Sequence, residues 1–252
     1  MKTKIALITG ASRGIGRNAA LKIAEKGLDI IITYNNRKEE AETVVKQIKM
    51  KGRHAVAYQL NTKDFKSFDQ FVKDVTSYLQ QHRGSPAIDY LINNAGTALN
   101  SLISQTTEDQ IDDIIDIHFK GMFLLTQKML PYLNDGGGIV NISSGLARIA
   151  LPSSSVYGSI KAAVEMMTRY MAKELGNRKI KANVVAPGAV ETDFGDGRIR
   201  DDKELNKIIA SRIALGRVGI PDDIGGVIAF LCTEEARWIN GQRIEVAGGM
   251  CL

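Results

Sequence analysis

Short apolar runs, many of them β-branched, recur along the chain at residues 5–8, 28–33, 55–60, 88–92, 139–142, 180–185 and 244–246. Runs of this length bounded by Gly, Asn or Pro read as strands buried on both faces. Between them lie longer segments whose apolar residues recur at helical spacing, at 38–50, 65–80, 108–133 and 156–175. Strand and helix therefore alternate, which predicts an α/β fold with a doubly wound, about seven-stranded parallel sheet and helices on both faces. No shift in composition marks a second domain within residues 1–252. One segment breaks the rhythm: residues 191–215 follow a proline-glycine turn, carry mixed charge and are too long for an ordinary connection. They read as a helical insertion over a cleft, a substrate lid at about 193–215.

Composition narrows the class only a little. Of 252 residues, 44% are hydrophobic and 24% charged, as in an ordinary globular protein. The net charge of +5 is spread without a basic cluster or interleaved aromatics, so nucleic acid is not an expected partner. No apolar run approaches a membrane span, and the N-terminal apolar stretch is too short for a secretory leader. Two cysteines, Cys232 and Cys251, cannot build a disulfide framework. A cytoplasmic protein with no membrane contact is the expectation, and no metal ligands are assigned.

The first strand runs into ITGASRGIGRNAA, where Gly10, Gly14 and Gly16 lead into a helix. Glycines at a strand-to-helix turn let the backbone approach a diphosphate, and the helix N-terminus offers free N–H groups with partial positive charge. An acidic residue at the end of the second strand would select NAD by binding the ribose hydroxyls. Thr33, Tyr34 and Asn35 stand there instead. Arg13 in the turn and Arg37 beyond the strand are placed to meet a 2′-phosphate, which favours NADP(H) while leaving NAD(H) possible. Arg37 also opens a charged helix start, RKEEAE, of the kind that is often merely solvated.

A second feature is the pair Tyr157 and Lys161, four positions apart within SSSVYGSIKAAVEMMTRY. That spacing puts both on one helical face. On a solvated face they are two surface residues; facing a cleft, the ammonium acts on the phenol. Met166, Met167 and Met171, with Ala162 and Ala163, form an apolar face suited to core packing or to self-association.

With the glycine turn, NNAG at residues 93–96, NISS at 141–144, Tyr-x-x-x-Lys at 157–161 and PGAVET at 187–192, the chain resembles the short-chain dehydrogenase/reductase family over nearly all its length. The tail, including V-x-G-G-M, is similar to the 3-oxoacyl-[acyl-carrier-protein] reductase subgroup. The resemblance implies a single Rossmann-type domain that binds NAD or NADP and forms a homo-oligomer, tetramer or dimer. It implies that Gly10, Ser12, Arg13, Ile15 and Gly16 line the pyrophosphate and adenosine side, with Asn35, Arg37, Asn61 and Thr62 at the adenosine end. Asn94, Ala95 and Gly96 would pass beneath the ribose, with Tyr157 and Lys161 beside it, and Pro187, Gly188, Val190 and Thr192 would hold the nicotinamide end. Ser144, thirteen residues before Tyr157, stands at the catalytic serine position. Two positions depart from the family pattern: His118 occupies the place of an asparagine that holds a water near the lysine, and Asn61 replaces an aspartate beside adenine. An imidazole at 118 either relays a proton or only packs.

Reduction of a carbonyl needs a hydride and a proton, and free tyrosine sits about 3 pKa units above neutrality as an acid. An ammonium about 5 Å away contributes roughly 3 kcal/mol toward the phenolate at an effective dielectric of about 20. Hence Tyr157 is expected as general acid/base, Lys161 as the charge that tunes it, Ser144 as the hydrogen-bond donor to substrate and His118 as a relay residue. The expected activity is NAD(P)H-dependent reduction of a small-molecule ketone or aldehyde to an alcohol. Two alternatives stand beside it: a 3-oxoacyl-[acyl-carrier-protein] reductase, and a non-catalytic nucleotide-binding scaffold or sensor. For the carrier, YLNDGGG before the fifth strand offers no base, and Arg178 is the only matching cation.

Overall fold

Each of the seven apolar runs forms a strand in the computed structural model, which describes residues 3–252. The strands are β1 (Ile5–Ile8), β2 (Asp29–Tyr34), β3 (Ala55–Gln59), β4 (Ile88–Asn93), β5 (Leu133–Ile142), β6 (Lys181–Pro187) and β7 (Arg243–Val246). They pair in the order β3-β2-β1-β4-β5-β6-β7, and every pairing is parallel. The helices are α1 (Gly14–Glu25), α2 (Lys38–Met50), α3 (Phe68–Arg83), α4 (Glu108–Ile115), α5 (Gly121–Met129), α6 (Ser155–Glu174), α7 (Arg198–Asp201), α8 (Lys203–Ala210) and α9 (Pro221–Leu231). Because side chains alternate across a strand, Ala6, Ile8, Ile30 and Ile32 join one core with residues of α1, α2 and α9. Ile5, Leu7 and Ile31 join a second core with residues of α3, α5 and α6 on the opposite face. Continuous apolar strands thus reflect a sheet covered on both sides. No helix among the described residues is long and apolar enough to cross a membrane.

Two expectations from periodicity need correction. Residues 108–133 are not one helix: α4 ends at Ile115, a π-turn follows over Asp116–Lys120, α5 begins at Gly121, and a single 3₁₀ turn closes on Tyr132. The α4 start is fixed by a capping box, Thr107 accepting from the Gln110 amide while the Gln110 side chain accepts from Thr107 N–H. The π-turn keeps helical spacing of apolar residues, so periodicity alone does not reveal it; such turns are frequent at functional sites. Strand β5 also begins at Leu133 rather than at 139, with a register shift against β4 between Ile88 and Tyr90 that absorbs the glycine-rich stretch. On α6 the methionine face divides: Met167 and Met171 are buried in the core, whereas Met166 and the neighbouring Tyr170 are exposed.

The π-turn is set by close packing at its end. A Cβ at Gly121 would lie 2.1 Å from the Thr62 carbonyl oxygen and 2.8 Å from that of Asp116. Both neighbours are backbone and cannot rotate away. Gly121→Ala is expected to cost about 1–3 kcal/mol in chemical denaturation, as an overpacked site does. An unchanged midpoint would contradict this packing.

Candidate active site

The sheet order reverses direction between β1 and β4, and the carboxyl ends of the strands flanking such a switch point open a crevice. Here the crevice is a cleft of about 580 Å³. Every residue assigned from the sequence to the nucleotide or to catalysis lines it, from Gly10 and Arg37 at one end to Thr192 at the other.

The nucleotide half is built on the glycine turn. Gly10 takes φ +63, a left-handed conformation that costs an L side chain energy, and a Cβ there would press on Ala95 Cα at 2.8 Å. A Cβ at Gly16 would meet Asn94 Nδ2 at 2.4 Å. That amide donates to the carbonyls of Thr9 (2.9 Å) and Gly10 (3.0 Å), while Thr9 Oγ1 accepts from the N–H groups of Asn94 and Ala95, both at 3.0 Å. From the other side Thr33 supports the turn: its Oγ1 accepts from Gly10 N–H at 3.2 Å and its carbonyl from Ala11 N–H at 2.8 Å. No side chain caps α1 and no acid sits in its first turn, so its N–H groups stay open to an anion. The close backbone, the open helix end and the absence of any carboxylate among the described lining residues fit a dinucleotide diphosphate. Arg13 and Arg37 both reach this half, each holding a carboxylate: Asp193 at 3.4 Å and Glu40 at 2.7 Å. Asn61 stays near its strand end, its Oδ1 accepting from Lys63 N–H at 3.0 Å.

The chemical half is carried by α6 and by the ends of β4 and β5. Tyr157 and Lys161 are both buried, so their shared face turns into the protein and not to solvent. Lys161 Nζ donates to the Ile142 carbonyl at 2.8 Å and lies 5.5 Å from the Tyr157 ring centroid. Burial pulls the Lys161 ammonium down to about 7. Burial also raises the Tyr157 phenol above its ordinary range, an effect partly offset by hydrogen bonding with the Ser144 hydroxyl. In the nucleotide-free chain burial therefore favours the protonated phenol.

His118 comes from the π-turn and stands edge-on to Tyr157, ring centroids 5.3 Å apart. Its Nε2 lies 2.8 Å from the Thr97 carbonyl oxygen and 3.2 Å from the Thr97 N–H, so the tautomer sets whether Nε2 donates to the first or accepts from the second. Nδ1 is buried without a partner among the described residues. Burial first, and then the nearby Lys161 charge, hold the imidazole well below its usual range, against a smaller opposing effect of the Thr97 hydrogen bond. Hence His118 is neutral. Its fit depends on Gly96, where a Cβ would strike Cε1 at 2.5 Å.

Three supports escape a sequence reading. Thr9 and Thr33 have no motif beyond their place at strand ends. The third is a buried cluster behind Ser144: Glu165 accepts from Ser143 Oγ at 2.8 Å and from Arg243 Nε at 2.6 Å, and Arg243 also holds Glu245 at 2.8 Å. Arg243 Nη2 reaches the Ser144 carbonyl at 3.4 Å. Glu165 lies one turn beyond Lys161, a hint on the same helix, but Arg243 is 78 positions away and nothing in the sequence joins them.

The sequence pattern of the family described as enoyl-(acyl carrier protein) reductase matches residues 10–251. The chain belongs to the short-chain dehydrogenase/reductase family and is an oxidoreductase of its 3-oxoacyl-reductase-like branch. It is 40% identical over 252 residues to the 3-oxoacyl-[acyl-carrier-protein] reductase FabG of Staphylococcus aureus strain Mu50, covering 99% of each chain. Among solved structures it is similar to the promiscuous reductase LugOII of lugdunomycin biosynthesis, with a TM-score of 0.94, 35% identity, and 100% of this chain and 99% of that one covered. It is also similar to the angucycline C-6 ketoreductase LanV with bound NADP, with a TM-score of 0.93, 33% identity, and 99% and 96% of the two chains covered.

The Arg243 and Glu165 side chains are 4% and 9% exposed, so removal of one partner leaves a buried charge uncompensated. Arg243→Met is expected to destabilise the protein by about 3–5 kcal/mol, and Arg243→Met with Glu165→Met by much less. Equal losses in denaturant titrations of the two variants would contradict a buried pair.

Proposed function

We propose that the chain reduces a ketone or aldehyde to an alcohol with NADP(H), NAD(H) being the poorer donor, and that Tyr157 gives the proton. The observation that carries this reading is Tyr157 buried beside Lys161 on the wall of a cleft that Ser144 also lines and whose other half fits a dinucleotide. The cofactor, when bound, supplies a hydride to the carbonyl carbon. The residues of this chain handle the oxygen. Ser144 donates a hydrogen bond to it, and Tyr157 passes its phenolic proton to it as negative charge develops. Lys161 steadies the phenolate left behind by its charge and holds the ribose beside it. Neutral His118 leaves its unpartnered Nδ1 behind the pair, sharing with Lys161 a cavity of about 10 Å³, room for about one water that either tautomer can hold. Gly10, Ser12, Ile15 and Gly16 cradle the diphosphate; Asn94 to Gly96 lie under the ribose; Pro187, Gly188, Val190 and Thr192 hold the nicotinamide; Asn35, Asn61 and Thr62 flank adenine. Residues 193–215, carrying α7 and α8, act as the lid. The NADP preference is supported by Arg13 and Arg37, whose carboxylate partners are half-exposed and readily exchanged for a 2′-phosphate. LanV, solved with NADP, supports the same choice.

A carrier-linked 3-oxoacyl substrate is the second reading, favoured by the identity to the S. aureus reductase. Against it, Arg178 is spent within the chain: Nε donates to Asp135 at 2.8 Å, Nη1 to the Leu130 carbonyl at 2.9 Å and Nη2 to that of Leu133. We further infer a homo-oligomer, tetramer or dimer, meeting through exposed Phe123, Met166 and Tyr170, and a cytoplasmic setting in keeping with free Cys232 and Cys251.

Tyr157→Phe is expected to lower kcat by about 10²–10⁴ with a panel of ketones while the protein still binds NADPH; full retained activity would remove Tyr157 from the chemistry. Arg37→Ala is expected to raise the KM for NADPH much more than that for NADH, and equal losses would overturn the phosphate assignment. Burial pulls the Lys161 ammonium of the nucleotide-free protein down to about 7, so its charge is lost as pH rises through that range. Affinity for the anionic nucleotide should therefore fall as pH rises through 7, by up to about tenfold per unit. Calorimetric binding of NADPH that stays level between pH 6 and 9 would contradict this.

A further inference from the structure

The cleft is lined by four cations and, among the described residues, by no carboxylate. Three of the cations belong to the nucleotide half or the chemistry: Arg13 and Arg37 hold Asp193 and Glu40, and Lys161 is bound to the Ile142 carbonyl. The fourth is Arg212, beyond the C-terminal end of α8, whose guanidinium has no carboxylate partner among the described residues. The substrate half of the same cleft is lined by apolar side chains that include Leu146, Leu151, Phe194, Ile209 and Met250. Arg212 is exposed and lines the cleft, and a cleft of one sign focuses its field on an anion.

The backbone that carries Arg212 is fixed. The Arg212 carbonyl accepts from Cys251 N–H at 3.2 Å, Ala214 N–H donates to Gly249 at 3.2 Å, and Leu215 N–H donates to Gly248 at 3.0 Å. Ile213 bridges Met250 in antiparallel fashion. The two segments meet closely because residue 249 is glycine: a Cβ there would lie 2.7 Å from Ala214 Cβ. Thus the charge is presented from a pinned position and not from a free loop, as recognition of one ligand group requires.

We propose that Arg212 is the anion-recognising residue of the substrate half, and that the substrate is a carbonyl compound with an apolar segment ending in an anionic oxygen group, a carboxylate or a phosphate. This rests on the carbonyl-reductase reading above and names the substrate class for the same cleft. The Arg212 guanidinium donates to the anionic oxygens while the apolar wall covers the intervening carbons, leaving the carbonyl with Ser144 and Tyr157.

The test compares matched pairs in wild-type protein and Arg212→Gln with NADPH: oxo acids of six to ten carbons against their methyl esters, and 3-oxobutanoyl-pantetheine 4′-phosphate against 3-oxobutanoyl-pantetheine. In the wild type the anionic member of one pair should be preferred about 10- to 100-fold in kcat/KM, mainly through KM and less so in high salt. Arg212→Gln should abolish that preference. The pair that shows it tells whether the anion is a carboxylate or a phosphate. No preference in either pair, or equal losses of both members in the variant, would overturn the proposal. A readout without turnover decides it separately: calorimetric binding of decanoate and of decanyl phosphate against decanol. At least one anion should bind about tenfold or more tightly in the wild type, and not in Arg212→Gln. Absence of turnover with every ketone would reject the reductase reading, and the calorimetry would still decide on Arg212.

Discussion

The hydrogen bond from the buried Lys161 ammonium to the Ile142 carbonyl ties α6 to the end of β5, and the geometry of the cleft depends on it. A charged group removed from water needs a partner, and here the partner is a strand-end carbonyl left over where the sheet stops. The contact fixes the rotation of α6 about its axis. Tyr157, one turn earlier, is thereby aimed into the cleft beside Ser144, and Met167 and Met171 turn into the core. The same burial determines the proton inventory of the site: a protonated phenol, an ammonium pulled down to about 7 and a neutral imidazole.

Around that contact the supports come from both sides. Thr9 and Thr33, with Asn94, stitch the glycine turn of β1 to β2 and β4 through hydrogen bonds between 2.8 and 3.2 Å. Behind Ser144, the Glu165 and Arg243 pair joins α6, β7 and the end of β5. The nucleotide half is therefore positioned by backbone and small polar side chains, and the chemical half by buried charge. This division suits the chemistry we propose, in which one half binds a large anion and the other must deliver a proton in a dry site.

Much of this was legible in the sequence because parallel strands buried on both faces leave a plain signature: short apolar runs spaced by helical segments. The twenty residues assigned to the nucleotide or to catalysis all line the cleft, most of them because they lie in short motifs at strand ends, and Tyr157 and Lys161 because they share one face of α6. What was not legible depends on partners far apart in the chain or on backbone detail. The π-turn over Asp116–Lys120 preserves apolar spacing and so hid inside one apparent helix. Arg243 meets Glu165 across 78 positions, and Arg212 is identified by its place on the cleft wall without a carboxylate partner among the described residues. The depth of burial of Tyr157 and Lys161 was also out of reach, because spacing gives only their shared face.

The central claim is that Tyr157 is kept as a neutral acid by burial, ready to give its proton. Labelling the tyrosines with ¹³C at the phenolic carbon and titrating the nucleotide-free protein by NMR, with Tyr157→Phe to assign the signal, tests this directly. The account predicts that the Tyr157 signal stays at the phenol position from pH 6 through the ordinary tyrosine range near 10. A Tyr157 phenolate appearing near pH 7 would contradict it, and would show that the ammonium and not burial sets the acidity of the site.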